Sequence, residues 1–253
     1  MPRPFYGSFA WAFNLIIDRP VQKDCDAIVG WLVERGVFPG SALLDAGCGT
    51  GRYAAELDRR GYAVNGIDTS PQLIAEAKRL LPQASGSISF GIWNLRKPLP
   101  RAYDAVLCRG VLNDFIDDES RRSALRAFAE DLRPGGVLIF DVREWEASVA
   151  RKTAEPLFRK RVTTERGVLL FESITVLDPE HHQLEISERH VLTHEDGSEE
   201  AATNLFRMQC WTRGEIAQWT RQAGFTNTVT FGAYDPSVPV AATDRLVVIT
   251  QRA

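Results

Sequence analysis

Nine consecutive residues constrain this 253-residue chain more than any others: Leu43-Leu44-Asp45-Ala46-Gly47-Cys48-Gly49-Thr50-Gly51. An apolar run from Ala42 to Leu44 has the look of a buried strand, and it breaks into a turn holding Gly47, Gly49 and Gly51. A helical pattern begins at once and runs from Arg52 to about Arg60. An ordinary strand-to-helix turn needs one glycine. A run of glycines at alternate positions is what a loop requires when a ligand must lie against bare backbone and a helix N-terminus. Strand, glycine loop and helix therefore predict an α/β fold that receives a nucleotide-like ligand.

Which nucleotide is decided by spacing. A dinucleotide fingerprint needs G-x-G-x-x-G, and the third glycine place is here Arg52. The glycine falls one residue early, at Gly51, and Asp45 stands two residues before the first glycine. This D-x-G-x-G-x-G pattern resembles motif I of the class I S-adenosylmethionine-dependent methyltransferases. S-adenosylmethionine (SAM) carries no pyrophosphate, so the loop has only to let a sulfonium and an amino-acid tail lie flat on backbone. The resemblance implies SAM as cofactor, S-adenosylhomocysteine as its product, and Asp45, Ala46, Gly47, Cys48, Gly49, Gly51 and Arg52 as cofactor-binding residues. Tyr62-Ala-Val-Asn-Gly-Ile67 reads as the next strand and ends at Asp68, with Thr69 beside it. An acid roughly 20 positions past the glycines can accept both ribose hydroxyl protons. Leu132-Arg-Pro-Gly-Gly-Val-Leu-Ile-Phe-Asp141 also resembles the family, whose fifth strand usually follows such a turn.

Composition removes several other classes. A hydrophobic fraction of 44% and a charged fraction of 25% are those of an ordinary water-soluble protein. A net charge of −3 supplies no electrostatic footprint for nucleic acid. Cys25, Cys48, Cys108 and Cys210 are scattered, so no zinc, redox or disulfide framework is expected. No run approaches membrane-spanning length, and Met-Pro-Arg-Pro-Phe-Tyr lacks a secretion-signal pattern. A cytoplasmic protein without metal or membrane attachment is the expectation.

The chain in order predicts a cap, a core and an insertion. Phe5 to Asp18 is aromatic and partly helical in spacing, and a helix from Pro20 to Arg35 follows. Further helices are expected at Pro71–Leu81, Asp118–Leu132 and Thr212–Gly224. Strands are expected at Ser87–Ile92, Ala105–Cys108, Val137–Val142, Phe225–Phe231 and Leu246–Thr250. Strands alternating with helices imply a mostly parallel sheet covered on both faces. The family resemblance adds a last strand that runs antiparallel. Alternating stretches at 158–164, 168–177, 183–192 and 201–208 break this rhythm and read as an antiparallel meander. The expected architecture is a Rossmann-like, doubly wound, seven-stranded sheet with that meander inserted as a lid. The expected units are 1–155 (cap helices and SAM-binding core), 156–208 (lid) and 209–253 (completion of the sheet).

Remaining site candidates follow the strand ends. Asn94 and Leu95 stand where the family often places an acid on the adenine amino group, and Asn94 offers only an amide oxygen. Cys108 ends the fourth strand, against the SAM pocket by resemblance. Arg109, a cation directly after a buried strand, needs a carboxylate from the SAM tail or from substrate. In Val111-Leu-Asn-Asp-Phe115, Asn113 and Asp114 are candidates to orient the acceptor, and Asp114 is equally suited to cap the next helix. The N-P-P-Y and D-P-P-Y loops of amino-group methylases are absent here. His181, His182, His190 and His194 lie in the meander without metal-ligand spacing; one of them could line the substrate cavity. Tyr6 either hydrogen-bonds the acceptor or SAM carboxylate, or packs beside Phe5 and Phe9. The catalytic candidates are Tyr6, Asn113 and Arg109. The reading is methylation of a small metabolite in secondary metabolism, at nitrogen. An RNA or protein methyltransferase and an idle SAM-binding protein are its alternatives, and oligomeric state is open.

Overall fold

The computed structural model describes residues 3–80 and 88–253. The chain runs through α1 (Phe13–Ile16), α2 (Val21–Val33), β1 (Ala42–Ala46), α3 (Arg52–Arg59), β2 (Ala63–Asp68), α4 (Pro71–Leu80), β3 (Ser89–Ile92) and β4 (Tyr103–Cys108). It continues with α5 (Asp118–Asp131), β5 (Leu132–Arg143) and α6 (Trp145–Ala154). Four strands follow, β6 (Leu157–Thr164), β7 (Gly167–Asp178), β8 (Gln183–Thr193) and β9 (Glu199–Gln209), and then α7 (Arg213–Gln222), β10 (Phe225–Phe231) and β11 (Arg245–Arg252).

Seven strands form one sheet in the order β10-β11-β5-β4-β1-β2-β3. β1 pairs in parallel with β2 and β4, while β11 runs antiparallel to both β5 and β10. The central strands are near-continuous apolar runs because both faces are covered. Leu44, Val106, Leu138, Phe140 and Val248 pack with Leu125 and Phe128 of α5 and Trp219 of α7. The alternate residues Leu43, Ala105, Leu107, Ile139 and Val247 pack with Ile28 and Trp31 of α2 and Leu57 of α3. Period-two alternation across a two-faced sheet produces these two cores. The doubly wound seven-stranded reading therefore holds, including the antiparallel last strand.

The second sheet, ordered β6-β7-β8-β9, is wholly antiparallel. Leu169, Phe171 and Leu192 on its inner face pack against Phe5, Phe9, Ala12 and Ile16 of the opening segment. That segment in turn reaches the glycine loop, where the Thr50 hydroxyl donates to Asn14 Oδ1 at 2.6 Å. The second sheet thus stands over the carboxyl edge of the first. Its entry and exit lie side by side: the Trp211 amide donates to the Arg143 carbonyl at 2.9 Å and the Trp145 amide to the Trp211 carbonyl at 3.0 Å. Asp244 receives both Arg143 and, at 2.6 Å, Arg151 from α6.

Several local expectations need correcting. The opening segment is two short 3-10 turns, Pro4–Tyr6 and Ala10–Ala12, followed by the single-turn α1. Its aromatic side chains are ordered by the second sheet, so periodicity is a poor guide there. Pro20 precedes α2 as its cap residue and is not inside the first turn. Arg133–Gly136 does not turn sharply; it continues β5, and the pairing with β4 slips between Tyr103 and Ala105. α6 was not anticipated, although Glu144 caps it by accepting from the Ala147 amide at 2.8 Å. The expected helix end at Leu81 and strand start at Ser87 lie outside the described residues.

Candidate functional site

All three loop glycines adopt positive φ: 79° at Gly47, 55° at Gly49 and 74° at Gly51. That conformation costs an L-residue roughly 1–2 kcal/mol, which explains why the loop carries glycine at alternate positions. The three have different neighbours. A Cβ on Gly47 would clash with Val111 Cγ2, whereas one on Gly49 would meet nothing nearer than the Phe13 ring at 4.0 Å. The space above Gly49 is open, as a ligand lying on backbone demands. Gly51 is the left-handed residue that caps the start of α3.

β2 anchors the loop. The Gly47 and Cys48 amides both donate to the Ile67 carbonyl, at 2.8 and 2.9 Å. Asp68 accepts from the Gly49 amide at 3.0 Å through one oxygen and from the Ser70 amide at 2.9 Å through the other. Burial raises its pKa while those amides pull it down. Each oxygen keeps a lone pair for further donors.

The loop forms one wall of a cleft of about 800 Å³, partly open to solvent. Of the expected residues, Tyr6, Asp45, Gly47, Cys48, Gly49, Arg52, Asp68, Thr69, Leu95 and Arg109 line it. Ala46 and Cys108 are buried in the core of the first sheet. Asn94 is occupied locally, its side chain accepting from the Arg96 amide at 3.0 Å.

Two catalytic candidates change role. Asn113 donates to the Gln209 carbonyl at 2.6 Å and accepts from the Arg143 amide at 3.0 Å. With both ends of its amide bound to backbone, it braces β9 against β5 and does not orient an acceptor. Arg109 faces the cleft, but Asp24 neutralises it from inside the protein at 2.9 Å, and Tyr53 and Tyr234 stack on it at 3.5 and 4.2 Å. Its carboxylate comes from the chain itself. A requirement for a partner was legible in the sequence; an Asp 85 residues away was not.

Sequence reasoning missed Arg19, which lines the cleft beside Gly110. Its guanidinium makes no hydrogen bond or ion pair among the described residues, although its carbonyl accepts from the Val21 amide at 2.8 Å. Burial, together with neighbouring Arg245 and Arg109, pulls its pKa down to about 10. In the same cleft Asp45 is 3% exposed and one of its oxygens has no partner. Burial pushes it up to about 7, against the pull of Arg109. An unmatched guanidinium and an unmatched carboxylate in one cleft suit the two charged ends of an amino acid. SAM ends in such a pair, so the residues present fit it.

At the other end of the cleft Tyr6 is not merely packed. Its hydroxyl donates to Asp114 at 3.2 Å, and Arg3 pairs with the other Asp114 oxygen at 2.7 Å. Burial raises both Tyr6 and Asp114. Asp114 does not cap α5; Asp117 does, accepting from the Ser120 amide at 2.7 Å. Among the described residues no group of His, Cys, Asp and Glu is arranged to hold a metal. His190 is fully buried among Phe5, Phe9 and Phe171, and burial pulls it down to about 4. His181 pairs with Asp178 and His194 with Glu200 at exposed edges. No histidine lines the cleft.

Residues 44–140 match a methyltransferase-domain family model. Over 98% of its length the chain is 24% identical to a provisionally named methyltransferase of Geobacillus sp., covering 99% of that protein. Two solved structures share its fold. An S-adenosylmethionine-dependent methyltransferase from Clostridium acetobutylicum aligns with a TM-score of 0.81 at 16% identity, over 98% of this chain and 99% of that one. A sugar N-methyltransferase from Streptoalloteichus sp. aligns with a TM-score of 0.79 at 19% identity, over 98% and 92%. Further curated matches are O-methyltransferases, of whose length the chain spans between 33% and 53%.

Proposed function

We propose that this chain is a class I SAM-dependent methyltransferase that methylates a nitrogen of a small metabolite. The observation that carries this reading is the Tyr6–Asp114 pair at the end of the cleft, under the second sheet. An amine is protonated at neutral pH and must lose a proton before its lone pair can attack. A buried carboxylate with a raised pKa is suited to hold an ammonium and then accept that proton. A phenol or enol also gives up a proton, but it brings no positive charge for a buried carboxylate to hold. The O-methyltransferase matches span only part of those proteins, whereas the sugar N-methyltransferase aligns along the chain, second sheet included.

Bound SAM supplies a methyl carbon already activated by its sulfonium, so the reaction is a direct displacement that mainly needs alignment and exclusion of water. On this reading Arg19 holds the cofactor's carboxylate and Asp45 its ammonium. Asp68 keeps its loop contacts and accepts the ribose hydroxyls, while Leu95 covers the adenine. Tyr6 orients Asp114, and Asp114 takes the acceptor's proton. The second sheet acts as the lid, residues 1–155 and 209–253 form the core, and the acceptor belongs to secondary metabolism in the cytoplasm. No helix among the described residues is long and apolar enough to cross a membrane.

Methyl-labelled SAM incubated with the enzyme and fractionated cell extract tests the proposal. Label should appear in small, basic compounds retained on a cation exchanger. Label in RNA, in protein, or only in neutral ethers would sink it.

A further inference from the structure

Just beyond the cleft, one of the chain's own cations sits among groups of the kind that bind cations. The Arg3 guanidinium donates to Asp114 at 2.7 Å and to the Tyr6 hydroxyl at 3.4 Å. It lies 3.6 Å above the Phe206 ring. Pairing of β7, β8 and β9 places Ser173 opposite Glu188, and Glu188 opposite Asn204. These three form a polar row on the face that also carries Phe171, Ile186 and Phe206, since alternate residues share a face. Glu188 Oε2 and Asn204 Nδ2 are buried without a hydrogen-bond partner. A charge next to Arg3 and Asp114, Glu188 is pushed up to about 7 by burial. Two carboxylates, a phenol and an aromatic face are the groups that hold a partly desolvated cation.

We propose that Asp114, Glu188, Phe206 and Tyr6 form the cage that receives the acceptor's ammonium, and that Arg3 is an internal plug the acceptor displaces. The natural occupant, an ammonium, rests on the nitrogen reading above. Two features distinguish a plug from a fixed brace. The guanidinium supplies one positive charge to two carboxylates, leaving Glu188 Oε2 unmatched. The Arg3 backbone is held separately, its carbonyl accepting from the Tyr6 amide at 2.8 Å, so the side chain can leave without unfolding the turn.

The test uses enzyme loaded with S-adenosylhomocysteine, titrated calorimetrically with methylguanidinium and with its neutral isostere N-methylurea. Arg3→Ala should bind methylguanidinium about tenfold more tightly than wild type, the scale of a cation gaining an aromatic face and a carboxylate. N-methylurea should bind neither protein, and adding Glu188→Gln to Arg3→Ala should remove most of the gain. S-adenosylhomocysteine affinity, measured first, should be unchanged throughout. Equal methylguanidinium binding by wild type and Arg3→Ala overturns the plug, as does N-methylurea binding that matches methylguanidinium. If Arg3→Ala loses S-adenosylhomocysteine, Arg3→Met, which keeps the stem over Phe206, replaces it; loss in both makes Arg3 a structural brace and ends the proposal. No turnover is measured, so label transferred to oxygen would refute the nitrogen reading without touching the cage.

Discussion

At the residue scale the loop glycines separate folding from binding. Gly47→Ala drives a methyl group into Val111 as well as straining φ. Gly49→Ala strains φ but meets open space. Thermal melts should therefore show Gly47→Ala as the less stable variant, while Gly49→Ala folds and binds SAM at least about tenfold more weakly, its methyl group standing where the ligand lies. Asp68→Ala removes charge-assisted bonds worth roughly 1.5–3 kcal/mol each. It should weaken SAM by more than about tenfold, and because Asp68 also holds the Gly49 amide, slight softening of the loop should accompany the loss. Tyr6→Phe leaves Asp114 with Arg3 alone. Turnover should fall between about tenfold and a thousandfold, the range for one well-placed hydrogen-bonding group, with SAM affinity little changed. Wild-type turnover would return Tyr6 to packing. The glycine loop and Asp68 were legible because their chemistry is local, within one strand-turn-helix unit. Arg3, Arg19 and the true partner of Arg109 were not. Asp114 lies 111 residues from Arg3, and only the fold makes them neighbours.

At the element scale the second sheet was legible from alternation and turn residues, since antiparallel hairpins write their period into the chain. Its consequence for the opening segment was hidden, because 3-10 turns held by tertiary packing carry no period. Phe5, Phe9 and Ile16 lie on the inner face of this sheet, so deleting 158–207 would bare them as well as Trp145 and Cys210, which pack in the cluster of Leu184 and Ile186. Such a deletion should yield protein that binds S-adenosylhomocysteine without turnover only if those exposed side chains are also made polar. Limited proteolysis is milder. If the sheet is a lid, cofactor with acceptor should slow cutting at the turns near Gly167 and Gly197 relative to cofactor alone; identical rates would argue against closure.

At the scale of the whole molecule, burial has lifted Asp45 and Glu188 to about 7 and Asp131 to about 6. A carboxyl whose pKa is raised by folding keeps its proton while the unfolded chain loses its own, so between about pH 4 and 7 these groups make stability fall as pH rises. Asp235, lowered to about 2, with Asp141 and Asp244 also lowered, acts in the opposite sense and fails as pH drops below about 4. The melting temperature should therefore peak near pH 4 and be lower at pH 8. Asp45→Asn should flatten the alkaline side by removing the largest of these penalties in the cleft. SAM affinity should move the other way in wild type, rising as pH passes 7 and Asp45 ionises to meet the ligand's ammonium. A pH-independent affinity would remove Asp45 from that role.

The two ends of the second sheet's insertion leave and rejoin the core through one doorway, where the Trp211 amide meets the Arg143 carbonyl and Asp244 clasps Arg143 and Arg151. Loop-closure cost grows only slowly with the length of what lies between two such posts. Whatever hangs from that doorway can be lengthened, shortened or replaced while the glycine loop, Asp68 and Arg19 stay where they are. Ancestry could then have kept one methyl-donor machine and changed its customers by swapping a cassette, and an engineer should be able to repeat the exchange by splicing foreign strand pairs between Arg143 and Trp211.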